Sequence, residues 1–294
     1  MSALDRRLPE VLLATEALLG ITRHPREHTI AVKKRYDTGA ALAAVIGLAL
    51  DRGADGVLLT PSPAAREALH GLTRRVPCWA LVPNVPQFAR DSSELGLPGA
   101  AMKRLKGGGP GTLFRLGLTG MANALGVLKN DTAAMAPILV ELELASLGTR
   151  DLDGVLIAAT LTDLALAGRH RFFFKNVVEF VRQRYGVRAG FETHNLGHLL
   201  GALREWKIEP DLVIGPMNPN GFMMKPDPER TLRELAVTKI PVIAKELTAG
   251  GAVALAEGAA WARAHGARGV AVDLADLDPE LAGLAAARDA EATP

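Results

Sequence analysis

A chain of 294 residues, 48% of them hydrophobic and 22% charged, is long enough for one large buried core. Its 34 Lys and Arg nearly offset 32 Asp and Glu, and the formal charge of +2 is scattered without a basic stripe, which argues against nucleic acid as the main partner. A single cysteine, Cys78, excludes an internal disulfide and a cysteine-held iron–sulfur cluster.

Met1 to Glu10 lacks the basic-then-apolar order of a secretory signal. No apolar run approaches the roughly 20 residues of a membrane helix. A cytoplasmic protein with no membrane partner is therefore expected.

Eight short apolar segments predict strands at Val11 to Thr15, Gly56 to Thr60, Cys78 to Val82, Gly154 to Ala159, Arg188 to Glu192, Leu212 to Gly215, Val242 to Lys245 and Gly269 to Val272. Several are nearly continuous Val, Ile, Leu or Ala, the pattern of parallel strands buried on both faces. Helical stretches separate them at Thr38 to Asp51, Ala64 to Leu69, Phe172 to Tyr185, Leu196 to Trp206, Pro228 to Leu235, Ala252 to His265 and Pro279 to Ala287. Arg52-Gly-Ala-Asp-Gly56 and Ala264-His-Gly-Ala-Arg-Gly269 punctuate helix-to-strand turns. The count and alternation predict the α/β class and a closed (β/α)8 TIM barrel, with an open doubly wound sheet as the competing topology. That competitor is weakened by the lack of a Gly-rich dinucleotide turn after the first strand.

The connection after strand three is far longer than a plain crossover. Thr112 to Leu128 and Thr132 to Leu147 both read as helices, with Asn130-Asp131 between them as separator and cap. One barrel domain over 1–294 is expected, with 84–150 as a long helical insertion between strands 3 and 4. Such an excursion suits a cover over the barrel mouth or a contact in a homo-oligomer. The basic, Gly-rich tract Lys103 to Gly111 lacks the Lys-Ser or Lys-Thr ending of a nucleotide loop.

Polar residues close successive strands, which is where such a barrel keeps its chemistry. Lys245 ends strand seven among Val242, Ile243 and Ala244; desolvation there would favour the neutral amine, a nucleophile for carbonyl carbon. The structural reading of the same lysine is an ion pair with a strand-end carboxylate. Alternation sends Glu246 to the other side of the strand unless the strand end breaks it. In Phe191-Glu-Thr-His-Asn195, His194 is an acid–base candidate and Glu192 its orienter, while Thr193 or Asn195 suits a helix cap. Asn218 and Asn220, in Gly215-Pro-Met-Asn-Pro-Asn-Gly-Phe-Met-Met-Lys225, offer paired donors and acceptors to a substrate, with Lys225 for an anionic group. Thr248-Ala-Gly-Gly251 is expected to open a helix, with the Gly250 and Gly251 amides converging on an anion. Asp273 is suited to a substrate hydroxyl or a salt bridge with Lys245, and Glu16 and Asp163 complete the rim. Arg23 to Thr29 and Lys33-Lys34 make the first loop cationic, in keeping with an anionic ligand.

Glu16, Asp163, Glu192, His194 and Asp273 show no compact metal-ligand spacing, so neither metal nor organic cofactor is expected. Lys245 and the Thr248-Ala-Gly-Gly251 turn give Gly186 to Asp273 features that resemble the broad TIM-barrel aldolase and phosphate-binding superfamilies. The resemblance implies Lys245 as an imine-forming residue and Glu192 or His194 as proton carriers. Asp273 departs from it, standing where many phosphate-binding members have a glycine-rich strand end. The leading expectation is a lyase or isomerase acting on a small anionic carbonyl compound through a lysine Schiff base. The alternatives are metal-assisted hydrolysis or isomerisation by carboxylates and His194, and a non-catalytic ligand-binding or assembly protein.

Overall fold

In the computed structural model eight parallel strands close in sequence order into a barrel, β1 (Val11–Ala14), β2 (Gly56–Leu59), β3 (Cys78–Val82), β4 (Gly154–Ile157), β5 (Arg188–Glu192), β6 (Leu212–Pro216), β7 (Val242–Lys245) and β8 (Gly269–Asp273). β8 returns to β1, with Ala14 beside Asp273 in register. The structure describes residues 4, 6–20, 22–107, 132–149, 151–276 and 282–289.

Strand alternation sorts the core into two layers. Leu12, Ala14, Leu58, Trp79, Leu81, Leu156, Leu212, Ile214, Ile243 and Ala271 fill the barrel interior. Their neighbours of opposite parity, among them Val11, Leu13, Val57, Val155, Phe191, Val213, Ala244 and Val270, pack outward against the helices. Interior space is tight enough to dictate composition. A Cβ on Gly154 would stand 2.4 Å from the Trp79 ring, so only glycine admits that indole.

The outer helices are α1 (Arg26–Tyr36), α2 (Gly39–Asp51), α3 (Pro63–Gly71), α4 (Val85–Gly107), α5 (Thr132–Leu147), α6 (Ala159–Ala167), α7 (Arg171–Tyr185), α8 (Leu196–Trp206), α9 (Pro228–Val237), α10 (Leu255–Ala264) and α11 (Ala282–Asp289). Side-chain oxygens of Thr38, Ser62 and Asp227 cap α2, α3 and α9 by accepting from the third residue on. The stretch expected as a cationic first loop is largely α1.

Within the expected insertion, α5 packs on β3 and against α3 and α7, the position of the crossover helix between β3 and β4. Arg184 of α7 donates to Glu141 at 2.8 Å, and Glu143 accepts from the Asn84 amide at 3.0 Å. α4 packs on α5 and is broken at Gly96, whose φ of 70° interrupts the helical path. The expected helix Thr112 to Leu128 and its Asn130-Asp131 cap lie outside the described residues. No helix among the described residues is long and apolar enough to cross a membrane.

Candidate active site

The inward parity of β1, β5, β7 and β8 continues past their last apolar residues. It passes through Leu12 and Ala14 to Glu16, through Gly190 to Glu192, through Ile243 to Lys245, and through Ala271 to Asp273. Four ionisable side chains thus meet at the carboxyl-terminal mouth, Glu16 on the one-turn 3-10 helix Glu16–Leu19 that follows β1. Lys245 donates to Glu16 Oε2 at 3.0 Å and makes a closer contact with Glu192 Oε1. All three side chains are buried. Glu192 Oε2 accepts from the amide of Ala159 at 3.0 Å, the first residue of α6, so a helix start also favours its charge.

This arrangement corrects the expected state of Lys245. Burial alone would lower its pKa, but the facing charges of Glu16 and Glu192 outweigh it and hold the side chain as an ammonium above the ordinary lysine range. Burial would raise Glu192, yet Lys245 and the hydrogen bonds from Glu16 and Ala159 draw it down to about 2. Glu16 moves the other way, because burial and the charge of Glu192 exceed the pull of Lys245. The group therefore pairs an ammonium with one carboxylate, Glu192, and one carboxyl shifted toward its protonated form, Glu16. The partners of Lys245 are Glu16 and Glu192; the expected salt bridge with Asp273 is not formed.

Glu246 also reaches the mouth, against the parity of β7. Its φ of 55° is left-handed, which ends the strand alternation and turns the side chain inward. Asn218 holds that turn. Its Nδ2 donates to the carbonyls of Glu246 at 3.0 Å and Phe222 at 2.9 Å, and its Oδ1 accepts from the Phe222 amide at 2.8 Å. The side chain expected to bind substrate is therefore fully engaged with backbone. Asn220 and Lys225 are exposed on the same loop and do not line the mouth. Met224 is buried beneath the loop.

A second polar group forms at the rim. Asp163 on α6 faces His194 Nδ1 at 3.1 Å and also accepts from the His194 amide at 3.1 Å and from the Thr193 hydroxyl. Burial would raise Asp163, but hydrogen bonds from His194, Thr193 and Asn195 bring it below the usual carboxylate range. Asn195 precedes α8 and makes no side-chain cap of that helix; its side chain turns to Asp163. His194 Nε2 lies 3.2 Å from Arg23 Nη2, and Arg23 Nε is 3.9 Å from Glu246.

At β8 the carboxyl of Asp273 accepts from the Ala275 amide at 2.8 Å, and burial together with the charge of Asp276 pushes it up to about 7. Asp276 accepts from the Thr248 hydroxyl and pairs with His24 Nε2, each at 2.7 Å. The hydrogen bond to Asp276 raises His24. Thr248 to Gly251 does not open a helix, since α10 begins at Leu255. The Gly251 amide donates within its own turn, to the Thr248 carbonyl at 3.0 Å. Gly250 and Gly251 instead lie under the first loop, where a Cβ would stand 3.2 Å from the Arg23 carbonyl and 3.4 Å from the His24 ring.

Glu16, Arg23, His24, His194, Lys245, Glu246, Asp273 and Asp276 surround a cavity of about 30 Å³. That volume suits one or two waters, and Thr22, Arg23 and His24 are part of its wall. A larger groove of about 760 Å³, between α6, α8 and α9, begins at the rim, where Asp163 and Asn195 line it. The Arg169–Glu205 and Arg204–Glu234 ion pairs line it.

Sequence reasoning foresaw Glu16, Glu192, His194, Lys245, Asp163 and Asp273 at one mouth. It set Glu246 aside and counted Arg23 and His24 only toward the cationic character of the first loop, without a contact for either. Period-two counting through each strand end was the available signal for the inward four; nothing local in the sequence marks Glu246 as left-handed. Among the described residues no group of three or more His, Cys, Asp or Glu side chains is arranged to hold a metal ion. The chain matches no protein-family model and no curated protein, so the functional reading rests on this geometry.

Proposed function

We propose that the barrel is a lyase or isomerase that moves a proton beside the carbonyl of a small oxygenated substrate, with Lys245 as the residue that engages the carbonyl. One observation carries the reading. A buried lysine contacts two glutamates of opposite protonation preference at the barrel mouth, which places a proton donor, a proton acceptor and a nitrogen at one point.

In the imine route the Lys245 ammonium must first give one proton to Glu192, an uphill transfer against the pairing that raises Lys245 and lowers Glu192. The neutral Nζ then attacks the carbonyl carbon, and the carbonyl oxygen takes a proton from Glu16. Nζ then returns one of its two protons to Glu16, and the proton held by the now neutral Glu192 lets that oxygen leave as water as the Nζ lone pair closes the C=N bond, leaving one proton and the positive charge on the iminium nitrogen. The iminium then draws electrons from a neighbouring C–H or C–C bond, and His194, oriented by Asp163, accepts the released proton.

The raised pKa of Lys245 favours a second reading, in which the ammonium stays protonated and hydrogen-bonds the carbonyl oxygen as charge develops there. Borohydride treatment of the protein with a panel of small 2-oxo acids and hydroxyketones, phosphorylated and not, separates the two. The imine route gives a stable mass increment mapped to Lys245. Turnover or α-proton exchange without that increment supports the ammonium route, and the absence of trapping, exchange and turnover across the panel overturns the proposal.

A further inference from the structure

Arg23 is poorly matched to its surroundings. A guanidinium presents five N–H donors in a planar fork suited to oxyanions, yet here one nitrogen meets an imidazole at 3.2 Å and another lies 3.9 Å from Glu246, beyond hydrogen-bond reach. The other acids of the mouth are engaged: Glu16 and Glu192 with Lys245, Asp276 with His24 and Thr248, Asp273 with the Ala275 amide.

The contact with His194 also fixes that ring. An ionised Asp163 only accepts and Arg23 only donates, so the proton sits on Nδ1 and the lone pair of Nε2 lies under the guanidinium. The basic nitrogen of the rim is covered by the cation that an anionic substrate would meet first.

We infer that Arg23 is the receptor for an oxyanion group of the substrate, carboxylate or phosphate, and that binding it draws the guanidinium off His194 and uncovers Nε2 as a base. This rests on the proposed function only in placing the anion in the same mouth as Lys245. A charge-assisted, bidentate pair with an oxyanion is stronger than the single contact with an imidazole, so the exchange runs toward the anion. Glu246 is the competing acceptor, and at 3.9 Å it has not closed on the guanidinium.

The test uses the full-length protein with 15N-labelled histidine, titrated at one slightly alkaline pH with acetate and separately with inorganic phosphate. Neither probe has a carbonyl that reacts with Lys245, so the outcome is independent of the imine. The His194 Nε2 resonance, assigned by its loss in His194→Asn, should move saturably in the parent protein. Arg23→Gln should weaken anion binding about 10- to 100-fold and should show the uncovered Nε2 signal without any anion. Arg23→Lys, which keeps the charge and loses the fork, should fall between. Tighter phosphate than acetate indicates a phosphorylated substrate, and the reverse a carboxylate. Equal binding by Arg23→Gln and the parent, or saturation that leaves the Nε2 resonance unmoved, overturns the inference.

Discussion

Replacing Lys245 by Met removes the cation from between two buried glutamates while keeping most of the side-chain volume. Breaking a buried ion pair by deleting one partner costs about 3–5 kcal/mol, and here both carboxyls have nowhere else to turn. Glu192 keeps the Ala159 amide, and Glu16 keeps Glu192. In the parent protein Glu192 is depressed to about 2, so its contribution is present above its unfolded value and is lost only as pH falls through about 2. Lys245 is raised, so its contribution is fully present below its unfolded value and is lost only in strong alkali. Stability from the Glu192–Lys245 pair is therefore flat across neutral pH, while Glu16, being raised, contributes less as pH rises above its unfolded value. Without the lysine the depressed carboxylate becomes a raised one, and the variant loses about 1.4 kcal/mol for each pH unit over which its native state keeps a proton that the unfolded chain has released. Urea unfolding of Lys245→Met against the parent should show a loss of about 3–5 kcal/mol near pH 8, falling to about 1 kcal/mol near pH 4.5, where both carboxyls are protonated. Glu192→Gln/Lys245→Met should recover roughly half of the loss near pH 8, because no uncompensated charge remains. A loss that is the same at both pH values, or no loss at all, refutes the electrostatic account of this site.

Asp273 carries the opposite sign: its carboxyl is raised to about 7, so the fold favours the protonated form and stability is lost as pH rises from the unfolded value through about 7. Asp273→Asn should flatten that slope and gain on the order of 2 kcal/mol near pH 8, after allowance for partial exposure, as read by urea unfolding at several pH values. Asn218→Ala removes three hydrogen bonds to backbone at the β6 and β7 ends and should cost about 3 kcal/mol. Hydrogen exchange should then accelerate in 216–226 and 246–249 before the rest of the barrel. The Cys78 thiol, pushed up to about 12 by burial and by Asp153, should resist a disulfide reagent in the native protein and react at the rate of unfolding when denaturant is added.

The barrel was legible because its signals are local and repeated. Cys78–Val82, Arg188–Glu192 and Val242–Lys245 have the bounds their apolar runs predict, and Leu196–Trp206 those of its 3.6-residue pattern. α1 was hidden because its residues are charged nearly all round, with Val32 and Tyr36 its buried positions. α4 was hidden by Pro86, Gly96 and Pro98, residue types that mark loops, although Gly96 only breaks the helix into two. α6 begins two residues after β4, so its first turn reads as the end of the apolar strand.

The charge state of the site was not legible, and the reason is a competition that sequence does not weigh. Desolvation and pairing push Lys245 in opposite directions, and the winner depends on whether a carboxylate arrives within hydrogen-bond reach. Glu16 and Glu192 arrive from 229 and 53 residues away along the chain, through barrel closure that no local pattern records. The same holds for Glu246, whose inward turn depends on Asn218 reaching across from the β6 loop. A side chain read as a substrate contact thereby acts one step back, holding a strained backbone that brings a second acid to the mouth. The chemistry of this barrel is set less by which residues end its strands than by which neighbouring loops fix their directions.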